Sequence, residues 1–237
     1  IFDQDRVSLS DAIVSMDFGC TGSMVSQNGL LITNHHCAYS DIHAFSTPDH
    51  NYLEEGFWAR TPGEEKWVSG KSVYFLKKVF DITDRVLSLR DTMPTRRMYA
   101  TLEREYKELP GYESMCAAMW GGSKYYMYCY EQYKDVRLVG APPVSIAAYG
   151  GEADNWIWPQ HKGDFALYRV YTAPDGSPAE YSPGNVPLVP VKTLTINAGG
   201  INEGGFTMVM GYPYSTDRYN SSFGITQIQK TTYPVLV

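Results

Sequence analysis

The stretch Cys20-Thr21-Gly22-Ser23-Met24-Val25, followed by Ile32-Thr33-Asn34-His35-His36-Cys37, holds the residue types from which a general base is built. An imidazole exchanges protons near neutral pH, provided the backbone holds it within hydrogen-bond reach of the group it deprotonates. Cys20 and Cys37 lie on the two arms of what reads as a hairpin, and a disulfide between them would fix the strand end that carries the histidines. Histidines beside a cysteine also invite a zinc reading. Neighbouring strand residues point to opposite faces, however, so His35 and His36 make a poor pair of ligands, and neither a metal nor a cofactor is expected. A histidine base needs a carboxylate that holds its tautomer and stabilises its charged form. After residue 135 the chain offers Asp154, Asp164 and Asp175. Asp175 sits in Pro174-Asp175-Gly176, where turn chemistry already accounts for it. Asp164 opens the alternating run Asp164-Phe165-Ala166-Leu167-Tyr168-Arg169-Val170, which reads as a strand.

The elements that must position these residues are short strands. Asn28-Gly29 between apolar runs is a strong hairpin signal, and residues 18 to 33 are expected to pair around it. Val73 to Phe80, Val136 to Val139 and Phe165 to Tyr171 read as further strands, and Gly204 to Tyr212 as a buried one. Between them the pattern changes. Val86, Leu87 and Leu89 precede Pro94, and Met98, Leu102, Tyr106 and Leu109 recur at helical spacing before Pro110-Gly111. Residues 1–82 and 136–237 are therefore expected to be mainly β, a barrel or sandwich, with 83–135 a mainly helical insertion. The four cysteines, Cys20, Cys37, Cys116 and Cys129, form no CxxC pair, which favours two disulfides, the second stapling the insertion, and an oxidising compartment.

Composition narrows the partners. The 237 residues are 43% hydrophobic, enough for a substantial core, and 14% aromatic with 19 tyrosines. The formal net charge is −6 without a Lys/Arg run, so nucleic acid is not an expected partner. No apolar stretch approaches the roughly 18 residues of a membrane span. The sequence begins with Ile1 and ends abruptly at Val237, and it reads as a piece of something longer.

Cys-x-Gly-Ser, a strand, and Thr-x-x-His-Cys resemble the histidine segment of chymotrypsin-fold peptidases, in which the histidine directly before the cysteine is the base. That resemblance selects His36 over His35, and Asp164 as the aspartate in the order His…Asp…Ser. A longer set of motifs is similar to bacterial serine dipeptidyl aminopeptidases of the dipeptidyl-peptidase 7 and 11 type. It comprises Thr33-Asn34-His35-His36-Cys37-Ala38-Tyr39, Asn51-Tyr52-Leu53-Glu54-Glu55-Gly56-Phe57-Trp58-Ala59, Gly150-Gly151-Glu152-Ala153-Asp154-Asn155-Trp156-Ile157-Trp158-Pro159 and Met208-Val209-Met210-Gly211-Tyr212-Pro213. The resemblance implies a chymotrypsin-like double barrel with a large helical domain between its halves. It further implies release of dipeptides from free peptide N-termini, a periplasmic or secreted location, and homodimers of the full-length protein. It also assigns Asn155 and Trp156 to the substrate's α-amino group; an ammonium suits an amide acceptor and an aromatic face. Two positions depart from the family pattern, Gln160 where an arginine is usual and Tyr214 where a glycine is common.

A serine nucleophile in such enzymes sits in a Gly-x-Ser-Gly-type loop that also supplies oxyanion donors. Gly22-Ser23 belongs to the first hairpin, and Ser221-Ser222 lacks flanking glycines. The chain is thus expected to carry the histidine and aspartate of a triad without its serine, and to be inactive by itself. The competing expectation is a catalytically inactive module that binds peptide N-termini.

Overall fold

The structure is a computed structural model that describes residues 2–3, 5–107, 112–149, 162–212 and 220–236. Among the described residues, eleven strands form one antiparallel sheet. They are β1 (Ile13–Met16), β2 (Cys20–Met24), β3 (Leu30–Thr33), β4 (Phe57–Trp58), β5 (Lys66–Trp67), β6 (Val73–Asp81), β7 (Tyr112–Met119), β8 (Lys124–Tyr133), β9 (Asp135–Ala141), β10 (Ala166–Thr172) and β11 (Val186–Pro187). Their main path runs β4-β9-β10-β3-β2-β1-β6-β8-β7, with β5 on β9 and β11 on β10. The hairpin expected over 18 to 33 is β2 and β3, and Gly29 takes the positive φ of 68° that its turn requires.

The sheet rolls up into a barrel. Only Lys134 separates β8 from β9, although the two strands lie far apart along the sheet path, so the chain itself bridges the two sides. Val14, Met24, Leu31, Val73, Phe75, Tyr133, Val136, Leu138, Tyr168 and Val170 share a single buried cluster, as a rolled sheet demands. Removing each such aliphatic side chain from water contributes about 1.5–3 kcal/mol. Helix α1 (His35–Phe45) closes one side, with Ala38 and Ile42 fully buried in the same cluster. The short α2 (Tyr52–Glu55) follows it.

Residues 83–135 depart from the mainly helical insertion expected. Helices α3 (Thr83–Leu89) and α4 (Thr95–Tyr106) form where the 3.6-residue pattern lay. The remainder is the long hairpin β7–β8, whose inner half continues the barrel through pairing with β6. Tyr and β-branched-poor helical spacing could not distinguish a strand buried on one face by helices from helix. Ile82, Val86, Met98, Leu102, Cys116, Met127 and Cys129 make a second core between the helices and the hairpin. The expected second disulfide is corrected as well: Cys116 and Cys129 are buried thiols. Their register explains it, because Cys116 faces Met127 and Cys129 faces Ser114. The two cysteines are diagonal neighbours, about 7–8 Å apart at Cα by strand geometry, beyond the usual span of a disulfide.

A short helix, α5 (Val144–Ala147), follows β9. The buried strand expected at 204 to 212 is also not found. That segment forms no strand among the described residues, and Phe206 and Val209 are about 89% and 98% exposed. An apolar run becomes a buried strand only where a neighbouring strand and a core await it, and among the described residues none does. Its end alone docks, the Tyr212 N–H donating to Thr21 Oγ1 at 2.8 Å. Beyond it, α6 (Ser222–Gln227), a π-helical turn (Ile228–Thr232) and α7 (Tyr233–Leu236) run on as one exposed helical segment. No helix among the described residues is long and apolar enough to cross a membrane.

Candidate active site

Strand register brings His36 and Asp164 together. Ala166 of β10 pairs with Thr33 of β3, so the residues just after Thr33 and just before Ala166 emerge at the same edge of the barrel. At that edge β3 turns into α1, with Asn34 as the extended residue that precedes it and His36 in the first helical turn. The Asp164 carboxylate closes the junction. Its Oδ1 accepts the His36 backbone N–H at 3.0 Å, and its Oδ2 lies 2.8 Å from His36 Nδ1. Asn34 Nδ2 donates to Oδ2 at 3.1 Å and to the Asp164 carbonyl at 3.2 Å. The carboxylate thus satisfies an amide that the first turn of a helix leaves without an intrahelical acceptor, where negative charge is favoured.

The electrostatics follow from those contacts. Partial burial pushes the Asp164 carboxyl up, but the His36 amide, the His36 ring and the Asn34 amide together outweigh it and hold it below the usual carboxylate range. Asp164 is therefore an ionised acceptor at neutral pH, and the Nδ1 of His36 carries the proton shared with it. The His36 side chain is 68% exposed, whereas that of Asp164 is only 25% exposed.

His35 takes the opposite course. It is buried, and burial lowers its proton affinity. One residue of helical rotation thus separates an interior histidine from one that faces out. The Cys20–Cys37 disulfide forms as expected, tying the residue after His36 to the start of β2, with a Cα separation of 6.2 Å. Thr33 Oγ1 adds a 2.7 Å bond to the Thr21 carbonyl beneath it. Asp175 is a turn residue, accepting from the Ser177 N–H and hydroxyl. Asp154, Asn155 and Trp156 lie outside the described residues.

Two clefts flank the pair. One, of about 800 Å³, is lined among the described residues by His35, His36, Tyr39, Ser145, Tyr149 and Asp164. The other, of about 510 Å³, lies on the Asp164 side against Thr21, Asn34, Phe165, Met210 and Tyr212. No serine or threonine hydroxyl among the described residues is hydrogen-bonded to His36, and no group of metal-ligating side chains is found among them. Asn34 is a site residue that the sequence reading missed. An Asn before a helix reads as a cap, yet its side chain turns to Asp164 instead of its own helix.

Residues 2–237 match the family model described as Peptidase S46. The chain belongs to the Peptidase S46 family. This S46 chain is 40% identical over 245 residues to a Dipeptidyl-peptidase 7 of Capnocytophaga gingivalis, a match that covers 100% of the chain and 34% of the relative. It is 42% identical over 233 residues to an Asp/Glu-specific dipeptidyl-peptidase of Porphyromonas gingivalis, covering 92% of the chain and 32% of the relative. Its fold matches the crystal structure of Porphyromonas endodontalis DPP11 with a TM-score of 0.88 at 38% identity, over 97% of this chain and 34% of that one. The complex of that enzyme with the dipeptide Arg-Asp matches with a TM-score of 0.81 at 39% identity, over 86% of this chain and 31% of that one. The S46 chain spans about a third of the length of these relatives. Its mainly β, chymotrypsin-like barrel portion is the fold that the motifs implied.

Proposed function

We propose that this S46 chain carries the general base and the orienting carboxylate of a serine dipeptidyl-peptidase, whose nucleophile is supplied by the part of the protein outside it. One observation carries the reading: the Asp164 carboxylate grips both the ring Nδ1 and the backbone N–H of His36, while the rest of the imidazole faces open clefts. The names of the relatives, dipeptidyl-peptidases all, support the substrate class.

In this reading His36 Nε2 takes the proton from the serine hydroxyl as its oxygen attacks the second peptide carbonyl of the substrate. The C–N bond breaks, and His36 returns the proton to the leaving amine. Water then attacks the dipeptidyl ester, giving its proton to His36 and from there back to the serine. Asp164 stays ionised throughout and stabilises the imidazolium at each transfer. Asn155 and Trp156 hold the free α-amino group of the substrate, which sets the cut at two residues. A disulfide beside the base fits an oxidising compartment, the periplasm or the exterior. The full-length protein works as a homodimer.

The test is kinetic, on the full-length protein with dipeptidyl-amide substrates. His36→Ala should abolish dipeptide release and labelling by a fluorophosphonate while leaving the thermal melt in place. Asn155→Ala should raise KM for substrates with a free amine far more than for N-blocked ones. Retained turnover in His36→Ala would remove the triad reading, and failure of the unaltered full-length protein to label would favour the inactive N-terminus-binding module.

A further inference from the structure

Beneath α1 lies a polar cluster that the proposed chemistry does not use. Asp41 of α1 accepts a 2.6 Å hydrogen bond from the Tyr168 hydroxyl of β10 on its Oδ2, which also lies 2.9 Å from Lys71 Nζ. Lys71 reaches Asp17 Oδ2 at 3.4 Å and sits over the Tyr168 ring, 5.5 Å from its centroid. Tyr168 is wholly buried, and the Lys71 and Asp41 side chains are only 10% and 15% exposed. Asp17 is itself clamped in the β1–β2 turn, at a φ of 50°, and its Oδ1 accepts the Ser72 N–H at 2.8 Å.

Charges held this far from water are a poor source of stability, since their desolvation roughly cancels their attraction and an apolar trio of like volume would pack as well. Their geometry points to another role. His36 is carried by α1 and Asp164 stands two residues ahead of β10, so the 2.8 Å contact between them depends on how α1 is seated on β10. The disulfide does not set that relation, because it ties α1 to β2. Among the described residues, Tyr168 to Asp41 is the side-chain hydrogen bond that joins α1 directly to β10. Lys71 Nζ lies against the same Oδ2 and fixes the acceptor in place.

We propose that Asp41, held by Lys71 and Tyr168, is a positioning residue that keeps His36 in register with Asp164. The proposal rests on the triad reading above. Its test is a double-mutant cycle in the full-length enzyme, with kcat and KM measured for Asp41→Asn, Asp164→Asn and the pair combined. Asp41→Asn should lower kcat about tenfold with KM nearly unchanged, and Asp164→Asn by about 10⁴-fold. If Asp41 acts through the pair, the combined variant should be no slower than Asp164→Asn alone. A purely structural role predicts instead that the two losses multiply, and that result overturns the proposal. Tyr168→Phe, which keeps the ring and its packing, guards against misfolding of the first variant. It should cost several-fold in kcat with a cooperative melt, and wild-type kcat in this variant also overturns the proposal. An Asp164→Asn enzyme that keeps its activity would remove the triad reading, and this inference with it; an inactive one with multiplicative losses would remove the inference alone.

Discussion

The histidine edge of the barrel and the outer end of the β7–β8 hairpin each hold two cysteines, and each has a strand, a turn and a helix nearby. At the histidine edge, Cys20 and Cys37 are joined and the backbone on either side of them is tied again by Thr33 to Thr21 and by Asp164 to His36. At the outer end, Cys116 and Cys129 stay as thiols in an apolar pack of Val86, Met98, Leu102 and Met127. Ser114 stands opposite Cys129 and donates to its sulfur at 3.6 Å. One region is held by covalent and charged contacts and presents an exposed imidazole; the other is held by burial and presents no such group. The difference lies in register and not in residue type, since two residues along β7 separate the position opposite Cys129 from the diagonal one that Cys116 holds.

The largest expected effect is at the histidine edge. Replacing the joined pair, Cys20→Ala with Cys37→Ala, should lower stability by about 3 kcal/mol, as opening a loop of this length does. On the proposed triad reading, the loss of dipeptide release by the full-length protein should exceed the loss of folded protein, because His36 directly precedes Cys37. Chemical denaturation beside a kinetic assay checks both. Unchanged stability would mean that the charged ties alone hold this edge, and the contrast between the regions would then rest on Asp164.

Next comes a substitution that should make the outer end resemble the inner one. Ser114→Cys places a thiol directly opposite Cys129, where strand geometry permits a bridge. After oxidation the variant should be two hydrogens lighter by mass, keep one titratable thiol at Cys116, and gain up to about 2 kcal/mol. The unaltered protein should titrate two thiols on denaturation. A bridge between Cys116 and Cys129 in that protein would overturn the register argument.

How far the sequence carried the reading can be traced to the same distinction. The Cys20–Cys37 pair was legible from the hairpin turn between its arms, and Asp164 stood out at a strand start, whereas the choice of His36 over His35 came from the resemblance to chymotrypsin-fold peptidases. The Asn-Gly turn and the alternation after Asp164 needed no knowledge of distant contacts. Asn34 and Asp41 were not legible, since their roles exist only once β10 lies beside β3 and beneath α1. The outer hairpin was misjudged for the converse reason. Tyr, Met and Cys at positions 112 to 133 alternate for a strand whose one face is covered by helices, and nothing local says where the partner cysteine falls in register. The run from Gly204 to Tyr212 shows the same limit, because its apolar pattern names a partner surface without supplying it.

The smallest expected effect is on Cys116 and needs no substitution. Burial first, and then the Glu103 carboxylate whose Oε1 accepts the Cys116 amide at 3.1 Å, push this thiol up to about 11. The thiolate is the species that alkylates, so at pH 8 roughly one molecule in a thousand is reactive, about a hundredfold below an ordinary thiol of 9. Native-state labelling with iodoacetamide, followed by peptide mass analysis, should find Cys116 nearly untouched at pH 8. Its rate should climb about tenfold per pH unit and level off near 11. The sign for stability follows from the same shift. The unfolded chain releases this proton near 9 and the folded one near 11, so the burial of the neutral thiol stabilises fully below 9 and that contribution fades between the two values. Glu103→Gln should bring the levelling point down by removing the facing charge. A Cys116 that labels at pH 8 as fast as a model thiol would show that the outer helices open readily over the hairpin, and that burial does not hold this region as the charged ties hold the other.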